Sequence, residues 1–478
     1  MAPGSLDRWD ARTRATVFPS LGFFGAKNVD RLEVPLPPDL TAVRLELPAS
    51  VTEVLSLKAL ELVRENRVVR PPAASLRATT SSFAKGRPRD AVAPLISNAP
   101  INTRREAGPW WQVELMEQVE VDALRVYNRR DGLGRRARSL LVRGRAADGT
   151  WRPLHDAQRD GLATLVPLVE RVTGVPLQPR LLGRGSWASR VRQAVVEGLL
   201  DAPEELTTLS RDEIRLLLAL VPSEARGGRP GLDDVDRRLL ATLLAVQRVV
   251  VPRTATSIRS FGDVLPDRPT LRALTREINE VGERLGAAPM SITRHGLTDV
   301  GSLRADTEGH LDLVERVAGV FDELGHPLVL AYGSLLGMVR EGAFLEHDDD
   351  VDLLFGVDAP DREAARPVLE QMKAELRVRG FGIWSNPSGL NFHVNDTATG
   401  RHLDVFPYLV DGDVATLHMT SMRLETIDVA ILEPHARREM HGRLLPVPHD
   451  PERFLEARYG AGWTVEDPFH DWTWPLSS

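Results

Sequence analysis

The chain contains no cysteine, which excludes disulfide-stapled scaffolds and zinc sites built from thiolates. No apolar run approaches the roughly 18 residues that a membrane-spanning helix needs. The first residues, MAPGSLDRWDARTR, also lack the apolar core of a signal peptide. We therefore expect a protein without a transmembrane segment, located either free in the cytoplasm or peripherally at the inner membrane face.

The composition indicates a globular protein that is too long for one ordinary core. With 478 residues, of which 42% are hydrophobic and 27% charged, the chain can form two or three domains. The net charge of −7 is small for this length, so it does not indicate a nucleic-acid-binding protein. The sequence predicts a multidomain protein.

Short strand-like segments separated by turns occupy residues 41–158, after an N-terminal segment of residues 1–40. Alternating or β-rich patterns occur at Val43–Leu47, Val54–Val63, Trp111–Leu115, Ala123–Tyr127 and Leu140–Arg145. Asp-Gly dipeptides at 131–132 and 148–149 are turn signals. This pattern predicts an all-β sandwich.

Residues 159–288 have a helical period instead. Ser210 and Glu213 have the spacing of a capping box, and further helices are predicted at about Leu232–Val249 and Thr270–Leu285. No set of catalytic residues stands out in this region. We interpret it as a helical connector.

Residues 289–478 follow an α/β pattern. An amphipathic helix is predicted at Leu311–Leu324, followed by a buried strand at Pro327–Tyr332. Gly333 and Ser334 then turn the chain directly into an apolar helix. A glycine permits close backbone approach there, and the serine hydroxyl and the helix N-terminal amides can hold a phosphate.

Acidic residues follow this turn at a spacing that suits a metal site. Alternate residues of a strand point to one side, so Asp350 and Asp352 are expected to face one site, with Asp348 at its rim. Asp404, in the apolar segment HLDVFP, is expected to add a carboxylate from a neighbouring strand. Crowded carboxylates repel one another unless a cation lies between them, and oxygen ligands suit Mg²⁺ or Mn²⁺. Such a site supports attack on phosphorus, whereas an acidic run alone is often only a solvated loop or a weak calcium site.

The C-terminal region contains five motifs in order: Gly-Ser, the helix start Leu335–Arg340, the acidic run, LDVFP and the terminal PERFLEARYGAGW. Together they resemble the LicD/fukutin family over about Asp306–Trp474. The resemblance implies a nucleotidyltransferase-like fold and transfer of phosphocholine, ribitol phosphate or a similar group from a CDP-activated donor to a glycan or glycolipid. One departure is His347, where the family usually has a tryptophan or a similarly large residue.

The resemblance also implies roles for individual residues. Gly333 and Ser334 would contact the donor phosphates, and Arg340 would counter their charge. The metal would be bound by Asp348, Asp350, Asp352 and Asp404. The catalytic residues would be Asp350, Asp352 and Asp404, with Asp404 as the candidate base. A surface ion pair is an equal alternative for Arg340. His393, in LNFHVN, has two interpretations: it contacts the acceptor, or it is a packed or solvent-facing histidine without a role in binding.

The segment Pro109–Asp156 resembles discoidin domains of the coagulation-factor C type, through its WWQVEL and VYNR strands and its DGTW hairpin. This implies a galactose-binding-like jelly roll over roughly Thr41–Asp156, and such domains bind glycans or lipid headgroups. The arginines at 129, 130, 135, 136 and 138 suit an anionic polymer, or a loop balanced by neighbouring acids.

Three other functions use parts of the same pattern. A true nucleotidyltransferase would use the same carboxylates and release pyrophosphate. A metal-dependent glycosyltransferase also carries Asp-x-Asp, although the Gly-Ser turn argues against it. The last alternative is a glycan-binding protein whose C-terminal domain has lost activity.

Overall fold

The computed structural model describes residues 9–22, 31–85, 90–116, 119–129, 132–178, 185–224, 231–251, 258–293, 296–385, 389–472 and 474–476. The chain divides into two compact units. One comprises Met1–Ala288, His295–Leu297 and Thr473–Ser478, and the other comprises Pro289–Arg294 and Thr298–Trp472. Each is described by itself below.

The elements are numbered in chain order. The strands are β1 (Arg31–Pro35), β2 (Leu40–Glu46), β3 (Thr52–Glu53), β4 (Ser56–Leu57), β5 (Ala59–Arg64), β6 (Arg67–Val69), β7 (Leu76–Thr80), β8 (Ile101–Asn102), β9 (Glu106–Ala107), β10 (Trp110–Leu115), β11 (Ala123–Tyr127), β12 (Leu141–Ala146), β13 (Trp151–Asp156), β14 (Met290–Thr293), β15 (Gly296–Asp299), β16 (Val329–Leu330), β17 (Asp352–Asp358), β18 (Gly382–Ser385), β19 (Phe392–Asn395), β20 (His402–Asp411), β21 (Val414–His418), β22 (Leu424–Asp428), β23 (Ala436–Met440) and β24 (Arg443–Val447). The helices are α1 (Ala11–Val17), α2 (Ala93–Ile96), α3 (Ala157–Thr173), α4 (Gly185–Asp201), α5 (Arg211–Leu217), α6 (Asp234–Val250), α7 (Arg268–Arg284), α8 (Ser302–Ala305), α9 (Thr307–Glu323), α10 (Tyr332–Glu341), α11 (Arg362–Val378) and α12 (Pro451–Tyr459).

The β-rich part of the first unit contains two antiparallel sheets, in the orders β1-β11-β5-β6 and β13-β12-β2-β10-β7. Inward-facing side chains of both sheets form one core, for example Leu60 and Val126 from the first and Val43 and Trp111 from the second. Trp111 is 1% exposed, and its indole N–H donates to the Ala91 carbonyl at 2.8 Å. The predicted all-β region is therefore confirmed.

Three of the arginines considered as an anion-binding cluster, Arg135, Arg136 and Arg138, form ion pairs within this unit, and Arg136 contacts Glu53 at 3.4 Å. Arg135 contacts Glu224 at 3.2 Å and Asp263 at 2.8 Å, and Arg138 contacts Glu224 at 3.2 Å. Arg138 also donates to the Ser223 hydroxyl. For these three side chains the structure supports the alternative of charges balanced by neighbouring acids. Arg130 lies outside the described residues.

The helical region follows the β-rich part and is confirmed as helical. The predicted capping box is present, because the Ser210 hydroxyl accepts from the Glu213 N–H while the Glu213 carboxylate accepts from the Ser210 N–H. Helix α6 buries most of its central turns, and α7 packs against it. Arg237 of α6 pairs with Glu277 of α7 at 2.7 Å.

The second unit is an α/β structure, as predicted, with one large sheet and a separate two-stranded sheet of β23 and β24. Seven of the described strands form the large sheet, in the order β16-β17-β20-β19-β18, with β21 paired to β20 and β22 to β21. Strands β17 and β20 run parallel. One face packs against α9, where the rings of Phe321 and Phe355 lie 5.0 Å apart. The other packs against α10, whose Tyr332 ring lies 5.2 Å from that of Phe406.

Helices long and apolar enough to cross a bilayer are absent from the part of the chain that the structure describes.

Candidate active site

The carboxylates meet at one point because two neighbouring strands run parallel. Asp352 of β17 is the register partner of Asp404 of β20, and the Asp404 N–H donates to the Val351 carbonyl at 2.8 Å. Val351 is 0% exposed, whereas Asp350 and Asp352 on either side of it are half-buried. This is the alternation expected of an extended chain, with the apolar residue turned into the core and both acids turned towards the site.

These carboxylates fit a divalent cation. Asp350, Asp352 and Asp404 each offer an oxygen, and all three oxygens lie within 4.8 Å of one another. Opposite ligands of an octahedral Mg²⁺ are about 4.2 Å apart, twice the metal–oxygen distance. A second group, formed by Asp348, Asp349 and Asp350, meets the same criterion and shares Asp350. The acidic cluster can therefore bind a metal ion.

Gly333 lies against this cluster at the N-terminus of α10. Its N–H donates to Asp352 Oδ2 at 3.2 Å. A Cβ atom at this position would lie 2.4 Å from Asp348 Oδ2, closer than any real contact. Only glycine therefore allows the Asp348 carboxylate to approach the helix end. The strand before it is shorter than predicted: it ends at Leu330, and Tyr332 begins the helix with a φ of +42°, in the left-handed region.

Ser334 is fully buried, at 0% exposed. Its hydroxyl accepts a hydrogen bond from the Asp352 N–H at 3.0 Å. This contact connects the first turn of α10 to the first residue of β17 and so positions the Asp352 carboxylate. The contact between Ser334 and a donor phosphate remains a prediction.

His393 is the register partner of Asp404 on the other side, on β19. Its Nδ1 forms a hydrogen bond with Asp404 Oδ1. That hydrogen bond raises the pKa of the His393 imidazole, and the charges of Asp404 and Asp350 raise it as well, whereas burial lowers it. Asp404 thus lies between Asp352 and His393, and the imidazole orients its carboxylate.

Arg340, at the end of α10, is engaged with its neighbour in sequence. Its side chain is 14% exposed, and Nη2 donates to Glu341 Oε1 at 2.6 Å. The ion pair considered as an alternative is therefore present, and contact with phosphate remains a prediction. Burial lowers the pKa of the nearby His347 imidazole, opposed by the charge of Glu466.

The terminal motif forms α12, which packs on the helix that carries Gly333. The Phe454 ring lies 5.8 Å from that of Tyr332, and the Arg458 guanidinium lies 5.9 Å from the same ring. Arg458 also pairs with Asp471 at 3.2 Å. These contacts hold the start of α10 against the sheet.

The sequence did not single out Trp384, which lies beside this site. It is the register partner of His393 on β18, with ring centroids 4.8 Å apart, and it is 62% exposed. The signal available was a tryptophan in a strand-like segment, GIWS, just before the strand of His393. Only the pairing of β18 with β19 places it at the site.

Residues 325–450 match the family model for the LicD/FKTN/FKRP nucleotidyltransferase domain, and all the predicted site residues lie in this range. The match supports the LicD prediction and a transferase for the C-terminal region. No curated protein matches the chain.

Two solved structures show a slight likeness. The crystal structure of ANT(2″)-Ia in complex with adenylyl-2″-tobramycin has 16% sequence identity and a TM-score of 0.20, covering 29% of this chain and 69% of that one. The structure of E. coli MS115-1 CdnC with ATP has 15% identity and a TM-score of 0.21, covering 26% of this chain and 43% of that one.

Proposed function

We propose that residues 289–478 form a metal-dependent phosphotransferase of nucleotidyltransferase-like fold. It transfers a phospho-alcohol, such as phosphocholine, ribitol phosphate or glycerol phosphate, from a CDP-activated donor to a hydroxyl of a glycan or glycolipid in cell-surface polysaccharide. The observation that carries this proposal is the convergence of Asp350, Asp352 and Asp404 beside the α10 N-terminus, within the region that matches the LicD domain.

The donor set is suited to a hard cation. Mg²⁺ or Mn²⁺ would be held by Asp350, Asp352 and Asp404, with Asp348 at the rim beside Gly333. A bound divalent cation neutralises the charge of a diphosphate and makes its phosphorus more open to attack.

The protein's own groups supply binding and proton transfer. The donor phosphates would lie beside the N-terminus of α10, where the helix dipole favours negative charge and where the Gly333 N–H contacts Asp352. Asp404 takes the proton of the acceptor hydroxyl while His393 holds its carboxylate in place. The acceptor oxygen bonds to the phosphorus that carries the alcohol, the bond from that phosphorus to the CMP oxygen breaks, and CMP leaves.

The remaining residues have a supporting role in this proposal. Residues 41–158 form a discoidin-like jelly roll that recognises the acceptor or a partner, and residues 159–288 form the connector that follows it. The two antiparallel sheets with a shared core support this assignment.

The product distinguishes this function from its alternatives. Purified protein is incubated with Mg²⁺ or Mn²⁺ and with CDP-alcohols, nucleotide sugars or nucleoside triphosphates, each with and without glycans. CMP release with a new phosphodiester is expected. Pyrophosphate release would instead indicate a nucleotidyltransferase, and release of a nucleoside mono- or diphosphate from a nucleotide sugar a glycosyltransferase. Absence of turnover with every donor would favour the glycan-binding alternative.

Variants connect the activity to the cluster. Asp350→Asn should abolish turnover, because Asp350 belongs to both carboxylate groups. Asp358→Asn is the matched control, since this aspartate is exposed at the far end of β17, the strand that follows Asp350. Full turnover in Asp350→Asn would contradict the catalytic assignment.

A further inference from the structure

Four side chains form a continuous row across the sheet of the second unit. Asp352 pairs with Asp404, Asp404 with His393, and His393 with Trp384, on the adjacent strands β17, β20, β19 and β18. Direct register partners share a face of the sheet, so all four side chains lie on the face that carries the carboxylates. Trp384 therefore lies at the open end of the candidate active site.

The two ends of this row differ in chemistry. At one end, the Gly333 N–H at the start of α10 contacts Asp352. At the other end, Trp384 presents an indole that is 62% exposed, and among the described residues it is the only exposed tryptophan. One end thus suits the phosphates of a substrate, and the other suits an apolar surface.

Trp384 is held in place without being covered. Its ring packs against the His393 ring at a centroid distance of 4.8 Å and an interplanar angle of 37°. His393 is itself held by its hydrogen bond to Asp404. The indole is therefore oriented by the same contacts that orient the candidate base, and part of its surface remains available to a ligand.

The geometry of phosphoryl transfer assigns the ends of the row to the two substrates. The attacking and leaving oxygens lie roughly in line on opposite sides of the phosphorus. The attacking hydroxyl must also be within about 3 Å of the group that takes its proton, here Asp404. With the donor phosphates at the α10 end, the acceptor approaches from the side of His393 and Trp384.

We propose that Trp384 is the platform on which the acceptor binds, by stacking of the indole against the apolar C–H face of a sugar ring. Adjacent strands are about 4.8 Å apart, so Trp384 lies roughly 10 Å from Asp404 across two strands. A sugar on the indole thus leaves room for the attacking hydroxyl, on the same or the next residue of the glycan, to reach Asp404. This inference rests on the proposed function and names the residue that binds the glycan acceptor.

The test separates acceptor binding from donor chemistry. Wild type, Trp384→Ala, Trp384→Phe and Leu444→Ala are compared, the last being a matched control because Leu444 is 63% exposed. Methyl glycosides of galactose, glucose and N-acetylglucosamine serve as acceptor probes. Saturation-transfer NMR reports their binding, and steady-state kinetics report KM and kcat with the CDP-alcohol that the wild type uses.

Trp384→Ala should raise the KM for the glycoside by roughly tenfold with little change in kcat, because loss of the ring removes a stacking contact and its buried area. Trp384→Phe should recover most of the affinity, and Leu444→Ala should match the wild type. The donor side of the reaction is followed separately by the slow release of CMP to water without acceptor, which should be the same in Leu444→Ala as in the wild type.

Each other outcome counts against the assignment. Unchanged glycoside binding and KM in Trp384→Ala would overturn it while the proposed function stands. A raised KM for the donor, or slower CMP release to water, would assign Trp384 to the nucleotide instead. Absence of glycoside binding to the wild type would also overturn it. Absence of CMP release from the wild type with every donor would refute the proposed function and this inference with it.

Discussion

The carboxylate cluster has a measurable consequence for stability before any substrate is involved. Three carboxylate oxygens within 4.8 Å of one another repel when no cation is bound. Asp350→Asn removes one of these charges with little change in shape. It should therefore stabilise the metal-free protein and at the same time remove most of the stabilisation that Mg²⁺ or Mn²⁺ confers.

The two effects differ in size. Two unit charges at this separation interact by about 3 kcal/mol at an effective dielectric constant of 20. Because Asp350 is only half-buried, we discount this to about 1 kcal/mol for the metal-free gain. A cation present at 100 times its dissociation constant stabilises the wild type by about 2.7 kcal/mol. In a domain of roughly 150–250 residues, 1 kcal/mol corresponds to about 2–4 °C in Tm.

Thermal unfolding with and without MnCl₂ measures both effects. The wild type should gain about 5–10 °C with the metal by this arithmetic, and Asp350→Asn should start higher and gain much less. Asp358→Asn should behave as the wild type. A metal-dependent gain in Asp350→Asn equal to that of the wild type would refute the proposed ligand set.

Three further predictions concern the groups around the site. Ser334→Ala should lower the free energy of unfolding by about 1 kcal/mol in urea titrations, because the part-buried Asp352 N–H loses its acceptor. An unchanged midpoint would contradict this positioning role. Gly333→Ala should weaken Mn²⁺ binding, measured by calorimetry, and lower Tm only slightly, because its Cβ would displace the Asp348 carboxylate. Burial lowers the pKa of His418, so its contribution to stability is present above the unfolded pKa of about 6.5 and is lost as the pH falls through the folded pKa. His418→Gln should therefore reduce the loss of stability on the acid side, and an equally steep loss would show that other groups cause it.

Local patterns were sufficient for much of the fold. The strand predicted at Ala123–Tyr127 is observed with the same ends, and the capping box at Ser210 is present. The longer segment Val54–Val63 is broken in the structure into β4 and β5. The β-rich composition correctly predicted strands in this segment, but composition does not specify where the chain changes strand partners.

The acidic run, together with the Gly-Ser turn before it, was enough to predict a possible cation site. Alternation places Asp350 and Asp352 on one side of an extended chain whatever the rest of the protein does, and their carboxylates favour a hard cation. Glycine before a helix likewise indicates close approach to that helix end. These properties are local, so the sequence was enough to predict them.

Which residues join that site was decided by the tertiary structure. Parallel pairing of β17 with β20 sets Asp404 beside Asp352, and antiparallel pairing with β19 and β18 brings His393 and then Trp384 into the same row. The tertiary structure also connects the Ser334 hydroxyl to the Asp352 backbone. Strand register joins residues that are far apart in the chain, and a shift of one residue would turn each side chain to the other face. No local pattern encodes that choice, which depends on the packing of the whole sheet.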